Sequence, residues 1–239
     1  MDSRKIKLFV DFDGTISSVD IGREIFFSFG DKLKAEQIVS NLHSGLISAK
    51  LCWEELIDNV KYVDENKLFE LIDNIPIDNS FHSFVDFCKS KNIDIFILSD
   101  GFDLYINRVL QKENLSWIPF YSNILRIEGG KFVGYFPYYN PYNESSSNSK
   151  MQHIIDNSSD DDYTIYIGDG NSDKEAAQYC DLIFAKDGLL KFCEANRISF
   201  FPYKDFNDVT ETINKLLTKK RLRKSHQAML KRKLAYEAE

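Results

Sequence analysis

Three short apolar runs in this chain end in polar turns, and segments with helical periodicity separate them. The runs cover residues 6–10, 93–98 and 163–167 and are rich in β-branched and aromatic side chains. That composition is typical of short buried strands. Because helical patterns lie between the runs, the strands are expected to be parallel and joined by crossover connections. The pattern therefore predicts an α/β fold with a parallel sheet flanked by helices.

An unusually long insertion separates the first two runs. It covers about eighty residues, whereas a crossover connection needs only about a dozen. Apolar residues recur in it at helical spacing, Ser48 and Asp64 are in N-cap positions, and Pro76 ends the pattern. We therefore predict a small helical cap at 18–76, a catalytic core at 1–17 and 77–214, and a basic helical tail at 215–239.

The remainder of the chain continues the alternation of helices and strands. Helical spacing predicts helices over 81–88, 102–110 and 150–155. Glu128-Gly129-Gly130 lies between two apolar segments, which favours a hairpin. Residues 182–185 and 198–201 have the composition of two further short strands.

Composition and charge exclude several classes of protein. No apolar run approaches the roughly 20 residues of a membrane span, and the four cysteines have no paired spacing, as expected of buried thiols in the cytoplasm. From Lys215 onward nine basic and two acidic residues give +7, so the rest carries −14 of the overall −7. An acidic body is not typical of nucleic-acid binding. We expect a cytoplasmic monomer or homodimer with no nucleic-acid or membrane partner.

The turn after the first strand carries the most specific chemistry. Asp11 and Asp13 are two positions apart where the strand ends, so both carboxylates can approach one point beyond the sheet. A carboxylate that attacks phosphorus forms an aspartyl-phosphate, which makes Asp11 the candidate nucleophile and Asp13 the candidate general acid and base. Gly14 permits a tight turn, and the Thr15 hydroxyl is a candidate ligand of the substrate phosphate.

The other two turns add groups that suit a phosphate and a metal ion. Ligands bind beyond the carboxyl ends of the strands in an open parallel sheet. Ser99-Asp100-Gly101 follows the second strand and is predicted to bind the phosphate, helped by the charge of Lys150. Asp169 and Asp173 follow the third strand. Together with Asp11 and Asp13 they would repel one another unless a cation were bound, and Mg²⁺ is the cation such oxygen ligands favour.

In these motifs the chain resembles the haloacid dehalogenase superfamily of phosphohydrolases. The resemblance rests on Asp11-Phe12-Asp13-Gly14-Thr15, then Ser99, then Lys150, then Gly168-Asp169-Gly170-Asn171-Ser172-Asp173. It implies a Rossmann-like core and Mg²⁺-dependent phosphoryl transfer through Asp11. The helical insertion looks like the cap of the phosphoserine-phosphatase-like branch. Residues 182–190 and 201–203 resemble the 2-hydroxy-3-keto-5-methylthiopentenyl-1-phosphate phosphatase family, which implies a small phosphorylated metabolite as substrate.

Several alternatives remain open from the sequence. The substrate could instead be phosphocholine, phosphoethanolamine or phosphoserine. A phosphomutase or phosphotransferase would use the same residues with a sugar hydroxyl in place of water. A signalling module phosphorylated on Asp11 is disfavoured by Asp13, because an acid/base so close speeds hydrolysis of the phosphorylated form. An inactive scaffold is disfavoured because every expected residue type is present.

Overall fold

The protein has the predicted α/β fold, and the computed structural model describes residues 5–219 and 221–238. Residues 1–4 and 239, and Lys220 of the predicted tail, lie outside the described residues. Seven strands in the described part form one sheet, in the order β4-β3-β2-β1-β5-β6-β7. The strands are β1 (Ile6–Asp11), β2 (Ile93–Phe102), β3 (Phe120–Glu128), β4 (Lys131–Tyr135), β5 (Tyr163–Gly168), β6 (Leu182–Ala185) and β7 (Phe201–Pro202).

The sheet is mostly parallel, as the alternation of strands and helices predicts. β1 pairs in parallel with both β2 and β5, β5 with β6, and β6 with β7. β3 and β4 form the predicted antiparallel hairpin. The helices are α1 (Ile21–Phe29), α2 (Lys32–His43), α3 (Ala49–Asn59), α4 (Glu65–Asp73), α5 (Phe81–Ser90), α6 (Asp103–Lys112), α7 (Lys150–Asp156), α8 (Asp173–Ala176), α9 (Asp187–Ala195), α10 (Phe206–Leu217) and α11 (His226–Ala238). Every helix in the described ranges is too short or too polar to cross a bilayer.

The chain divides into two compact units. The first contains 5–16, 77–98 and 150 onward, and the second contains 17–76 and 99–149. The strand β2 runs through both, since its residues to Leu98 are in the first unit and those from Ser99 are in the second. The predicted helical cap is thus grouped with 99–149, and its separation as a domain of 18–76 stays a prediction.

The second unit is built on capped helices and a cluster of aromatic rings. The Ser48 side chain accepts the amide of Leu51, and Asp64 accepts the amides of Asn66 and Lys67, so both predicted N-caps are confirmed. These bonds satisfy amides that a helix start leaves without an intrahelical partner. The apolar faces of the unit meet in rings with centroids 5.1–6.1 Å apart, from Phe26, Trp53, Phe102, Phe132 and Phe136.

The predicted strand at 198–201 is wrong in its first three residues, because the last strand begins at Phe201. The chain leaves α9 through Arg197, which has a left-handed backbone (φ 54°). The amide of Ile198 then donates to the carbonyl of Cys193 at 2.9 Å. A bond of this kind ends a helix, so Ile198 belongs to the C-terminal cap of α9 and not to a strand. Pro202 is accommodated because β7 is an edge strand.

In the described part of the predicted basic tail, one basic side chain is completely buried. Arg232 on α11 is completely buried in the first unit. Its guanidinium donates to the Thr164 hydroxyl at 3.1 Å and to the carbonyl of Tyr179, and lies 3.4 Å from the Asp181 carboxylate. The helix is therefore anchored to the start of β5 by a buried arginine.

All four cysteines are buried free thiols, as predicted. Burial raises the pKa of Cys52 and of Cys88 to about 12. It raises the pKa of Cys193 to about 11 and that of Cys180 further. A thiol reacts as its thiolate, so these side chains are packing groups.

Candidate active site

The turn after β1 presents the first acid of the site. Asp11 is the last residue of β1, its register partner on β2 is Leu98, and it is 5% exposed. Three residues after Asp11 the turn requires glycine, because Gly14 has a φ of +76° and a Cβ there would lie 2.8 Å from Asp169 Oδ2. Local backbone geometry therefore brings the first and third predicted motifs together within the first unit.

Lys150 lies at the centre of the acid cluster. It begins α7, is 1% exposed, and donates through Nζ to Asp11 Oδ1 at 2.5 Å and to Asp173 Oδ1 at 2.7 Å. An ammonium can be buried only where charges and acceptors compensate the loss of water. Lys150 therefore contacts the predicted nucleophile, and its predicted contact with the substrate phosphate stays a prediction.

Asp173 is completely buried, and both of its carboxylate oxygens accept two hydrogen bonds. Oδ1 accepts from Lys150 and from the Tyr166 hydroxyl, the latter at 2.6 Å. Oδ2 accepts the backbone amides of Asp169 at 3.0 Å and Gly170 at 2.8 Å. A carboxylate offers about four lone-pair sites, so those of Asp173 are fully used by protein donors.

Asp169 is held by a second set of hydroxyl groups. The Thr15 hydroxyl donates to Asp169 Oδ1 at 2.9 Å and lies 3.4 Å from the hydroxyl of Tyr203. The Tyr203 hydroxyl also lies 3.4 Å from the carbonyl of Gly168. In this structure Thr15 therefore orients a carboxylate, and its predicted contact with substrate phosphate stays a prediction.

Electrostatics in the cluster favour a bound cation. Burial, followed by the charge of Asp173, raises the pKa of Asp11 well above its ordinary value. The same two causes raise the pKa of Asp169 to about 6. Burial by itself would lower the pKa of Lys150, but Asp11 and Asp173 outweigh it and raise that pKa above its ordinary value. Three carboxylates against one ammonium leave an excess of negative charge.

The donor set fits Mg²⁺. Oxygens of Asp11, Asp169 and Asp173 lie within 4.8 Å of one another, and Mg²⁺ binds through one or two carboxylates plus phosphate and water. Because the Asp173 oxygens are already used, Asp11 and Asp169 are the better placed ligands. Asp13 is half-buried and does not belong to this group of three, so its predicted ligation and that of Asp173 stay predictions.

The Ser99-Asp100-Gly101 motif is described within the second unit. Ser99 is completely buried, and its hydroxyl accepts the amide of Gly101 at 2.9 Å. The Asp100 carboxylate organises the loop that precedes Lys150. Its Oδ1 accepts from the Ser146 hydroxyl at 2.7 Å and from the amides of Ser147 and Asn148 at 2.8 and 2.9 Å. The predicted role of Asp100 in phosphate binding is untested, and its observed role is to hold this loop.

Sequence reasoning identified the acids and the lysine but missed Tyr166 and Tyr203. No motif sets Tyr166 apart from Tyr163, the other buried tyrosine of β5. Side-chain alternation along a strand places Tyr166 on the same face as Gly168, and that was the one available signal. Tyr203 follows β7 and belongs to the segment 201–203 that resembles the phosphatase family, but the sequence assigned it no role in the site.

Curated proteins with similar sequences include phosphatases. No family model matches the chain. The chain is 30% identical over 217 residues to 2-hydroxy-3-keto-5-methylthiopentenyl-1-phosphate phosphatase of Bacillus mycoides, covering 89% of this chain and 97% of that protein. It is 29% identical over 221 residues to Pdp3-interacting factor 1 of Schizosaccharomyces pombe, covering 89% and 96%.

Solved structures of phosphoserine phosphatase share the fold. An analogue of its phospho-aspartyl intermediate matches with a TM-score of 0.67 and 17% identity, covering 88% of this chain and 99% of that one. The substrate-bound complex matches with a TM-score of 0.66 and 18% identity, covering 89% and 99%. Fold, acid cluster and relatives define a phosphoric monoester hydrolase of the haloacid dehalogenase type. Within that superfamily, the chain belongs to the family of the 2-hydroxy-3-keto-5-methylthiopentenyl-1-phosphate phosphatases.

Proposed function

We propose that the protein is a Mg²⁺-dependent phosphatase that hydrolyses a small-metabolite phosphate monoester through an aspartyl-phosphate on Asp11. The observation that carries the proposal is the buried ion pair between Lys150 and Asp11, with Asp169 and Asp173 alongside. Structural ion pairs usually match their charges. Here three acids surround one base, which is the arrangement a cation and a phosphate would complete.

In the first step, an oxygen of Asp11 attacks phosphorus and the bond from phosphorus to the ester oxygen breaks. Lys150 holds Oδ1 of Asp11, which fixes the plane of the carboxylate for in-line attack. Asp13 gives its proton to the leaving alkoxide. The products of this step are the free alcohol and a phosphate ester on Asp11.

In the second step, water attacks the phosphorus of the aspartyl-phosphate. Asp13, now ionised, accepts a proton from that water, and the bond from phosphorus to the Asp11 oxygen breaks. Inorganic phosphate leaves, and Asp11 returns to its carboxylate form. The single residue Asp13 thus acts as acid and then as base.

Other groups neutralise charge on the phosphoryl oxygens. We assign this role to Lys150, the Ser99 hydroxyl, backbone N–H groups near Gly101 and the Thr15 hydroxyl, whereas Asp100 acts through the loop it holds. A bound Mg²⁺, held by Asp11 and Asp169, would neutralise charge on the phosphate and lower the raised pKa values of both acids. Ionised Asp11 is the form that can attack.

For the substrate, we propose 2-hydroxy-3-keto-5-methylthiopentenyl-1-phosphate, an intermediate of methionine salvage. Its support is the name of the Bacillus relatives, at about 30% identity over most of both chains. The fission yeast relative has similar identity and a different name, so substrate preference needs a direct measurement.

The test is inorganic phosphate release with MgCl₂ across a panel of monoesters. The panel contains the methylthiopentenyl ester, phosphoserine, phosphoethanolamine, phosphocholine and a sugar phosphate. We expect the methylthiopentenyl ester to give the highest kcat/KM, and chelation of the metal to abolish turnover. One phosphate released per ester consumed separates a hydrolase from a mutase.

The control variants test the assigned nucleophile. Asp11→Asn should fall to the background rate, because an amide does not attack phosphorus. Asp94→Asn removes a carboxylate from the opposite end of the β1–β2 pair, where it binds Lys7, and should keep wild-type kcat. Wild-type turnover in Asp11→Asn, or no turnover of any ester by the folded wild type, would contradict the proposal.

A further inference from the structure

The two oxygens of the Asp173 carboxylate contact two different parts of the site, Lys150 and the turn that carries Asp169. Through Oδ1 this carboxylate binds Lys150, which binds Asp11. Through Oδ2 it binds the amides of Asp169 and Gly170 and so shapes the turn that presents Asp169. The orientation of Asp173 therefore controls both the base that holds Asp11 and the turn that carries Asp169.

Tyr166 supplies the remaining donor to Asp173. It is completely buried on β5, and its hydroxyl donates to Asp173 Oδ1 at 2.6 Å. Gly168 leaves the space for this contact, since a Cβ at Gly168 would lie 3.0 Å from Tyr166 Cε1 and 2.5 Å from Asp173 Oδ2. The strand is thus built to bring this phenol against this carboxylate.

The chemistry of the donor matters as much as its position. A second lysine in this place would satisfy the same lone pair, but it would also cancel one of the excess negative charges of the cluster. The neutral phenol satisfies the oxygen and leaves three acids against one ammonium. A buried tyrosine hydroxyl needs a partner wherever it lies, but Tyr166 takes as its partner the acid that organises the site.

We propose that Tyr166 is a positioning residue of the active site, acting through Asp173 to hold Lys150 against Asp11 and to orient the turn of Asp169. The inference rests on the proposed function for its catalytic half. Its effect on the metal site is independent of the substrate. Tyr166 orients Asp173, and Asp173 binds the backbone amide of Asp169, a proposed metal ligand. Residues that orient a metal ligand typically change metal affinity or activity by about 10–100-fold.

The experiment compares wild type with Tyr166→Phe, which removes only the hydroxyl. Tyr163→Phe is the matched control, because Tyr163 is buried at the start of the same strand. We expect Tyr166→Phe to lower kcat by about tenfold or more with KM changed less than about threefold, and to weaken Mg²⁺ binding, measured by calorimetry, by about tenfold. Tyr163→Phe should stay within about twofold of wild type in all three.

A double-mutant cycle with Asp173→Asn separates positioning from packing. If Tyr166 acts through Asp173, adding Tyr166→Phe to Asp173→Asn should lower kcat and Mg²⁺ affinity little further. A Tyr166→Phe protein with wild-type kcat and wild-type Mg²⁺ affinity would overturn the inference, whatever its thermal midpoint. So would a double variant whose losses are the full product of the two single ones.

The wild-type protein in the same assay separates the two proposals. Wild type that hydrolyses no ester would contradict the proposed function, while a Mg²⁺ affinity that falls in Tyr166→Phe alone would still support the role of Tyr166 at the metal site. Active wild type with unchanged Tyr166→Phe contradicts only the inference about Tyr166.

Discussion

Two basic side chains are completely or almost completely buried in the first unit, and their surroundings differ in charge. Lys150 binds Asp11 and Asp173, with Asp169 close by. The cluster therefore carries more negative than positive charge, and the pKa values of Asp11 and Asp169 are raised. Such an excess of negative charge favours the binding of a cation.

Arg232 shows the opposite arrangement. Its guanidinium faces one acid, Asp181, and otherwise uses a hydroxyl and a carbonyl, so one charge balances one charge. Both groups in the pair are completely buried. The comparison teaches that burial alone does not distinguish the two bases, whereas the balance of charge within a few ångströms does.

Of the two buried bases, Lys150 has the larger expected effect, and that effect is on catalysis. Lys150→Met keeps the length of the side chain but removes its charge, so kcat should fall by about 10²–10³-fold, as for loss of a preorganised charge-stabilising group. Phosphate release at saturating ester measures it, and Lys191→Met, an exposed lysine on α9, should keep wild-type kcat. A Lys150→Met protein with wild-type kcat would contradict the catalytic role proposed for Lys150.

At the other buried base, we expect a loss of stability with catalysis intact. Arg232→Met removes the guanidinium group that pairs with the buried carboxylate of Asp181. Removing one partner of a buried ion pair lowers the free energy of unfolding by about 3–5 kcal/mol. Urea unfolding measures it, with the exposed neighbour Lys233 as the control. Lys233→Met should change the free energy by less than about 0.5 kcal/mol. If Arg232→Met instead lowered kcat as far as Lys150→Met in folded protein, the two sites would not differ as described.

A third buried group, His153 on α7, has a smaller, pH-dependent effect. Burial lowers its pKa to about 4, against an unfolded value of about 6.5. The unfolded chain therefore binds more protons between these values, so the neutral histidine destabilises the fold as pH falls from about 6.5 to 4, by at most about 1.4 kcal/mol per pH unit.

The measurement is thermal or urea unfolding across pH 4–7 in wild type and in His153→Gln. The variant should lose less stability than wild type on going to pH 4, because its side chain does not titrate. His226→Gln, at an exposed position of α11, is the control for the replacement of a histidine by glutamine. Identical pH curves for wild type and His153→Gln would contradict the cause assigned here.

Much of the fold was predictable because the apolar runs and N-cap residues of each segment favour the same elements that the complete fold contains. The apolar runs became β1, β2 and β5, and Ser48 and Asp64 cap helices as expected. The strand at 198–201 failed because apolar composition cannot distinguish a strand from a helix end closed by Ile198. The sequence assigned Arg232 only to the basic tail, and tertiary packing shows that Thr164 and Asp181 face it.

For the candidate site, the sequence predicted the charged residues and Thr15 but missed the two tyrosines that lie against them, Tyr166 and Tyr203. Asp11, Lys150, Asp169 and Asp173 come together because each is tied to the end or the start of a regular element. Tyr166 could not be found in the same way. The sequence around a tyrosine in a buried strand is the same whether its hydroxyl group binds a carboxylate or a carbonyl.

The burial of the four thiols has a practical consequence for labelling. At pH 8 a thiol with a pKa of about 12 is ionised in about one molecule in 10⁴, and the thiolate is the form that reacts with maleimides. Since Cys52, Cys88, Cys180 and Cys193 are all buried with raised pKa values, a cysteine engineered at an exposed position would react first. Fluorophores could then be attached at chosen positions without replacing any native cysteine.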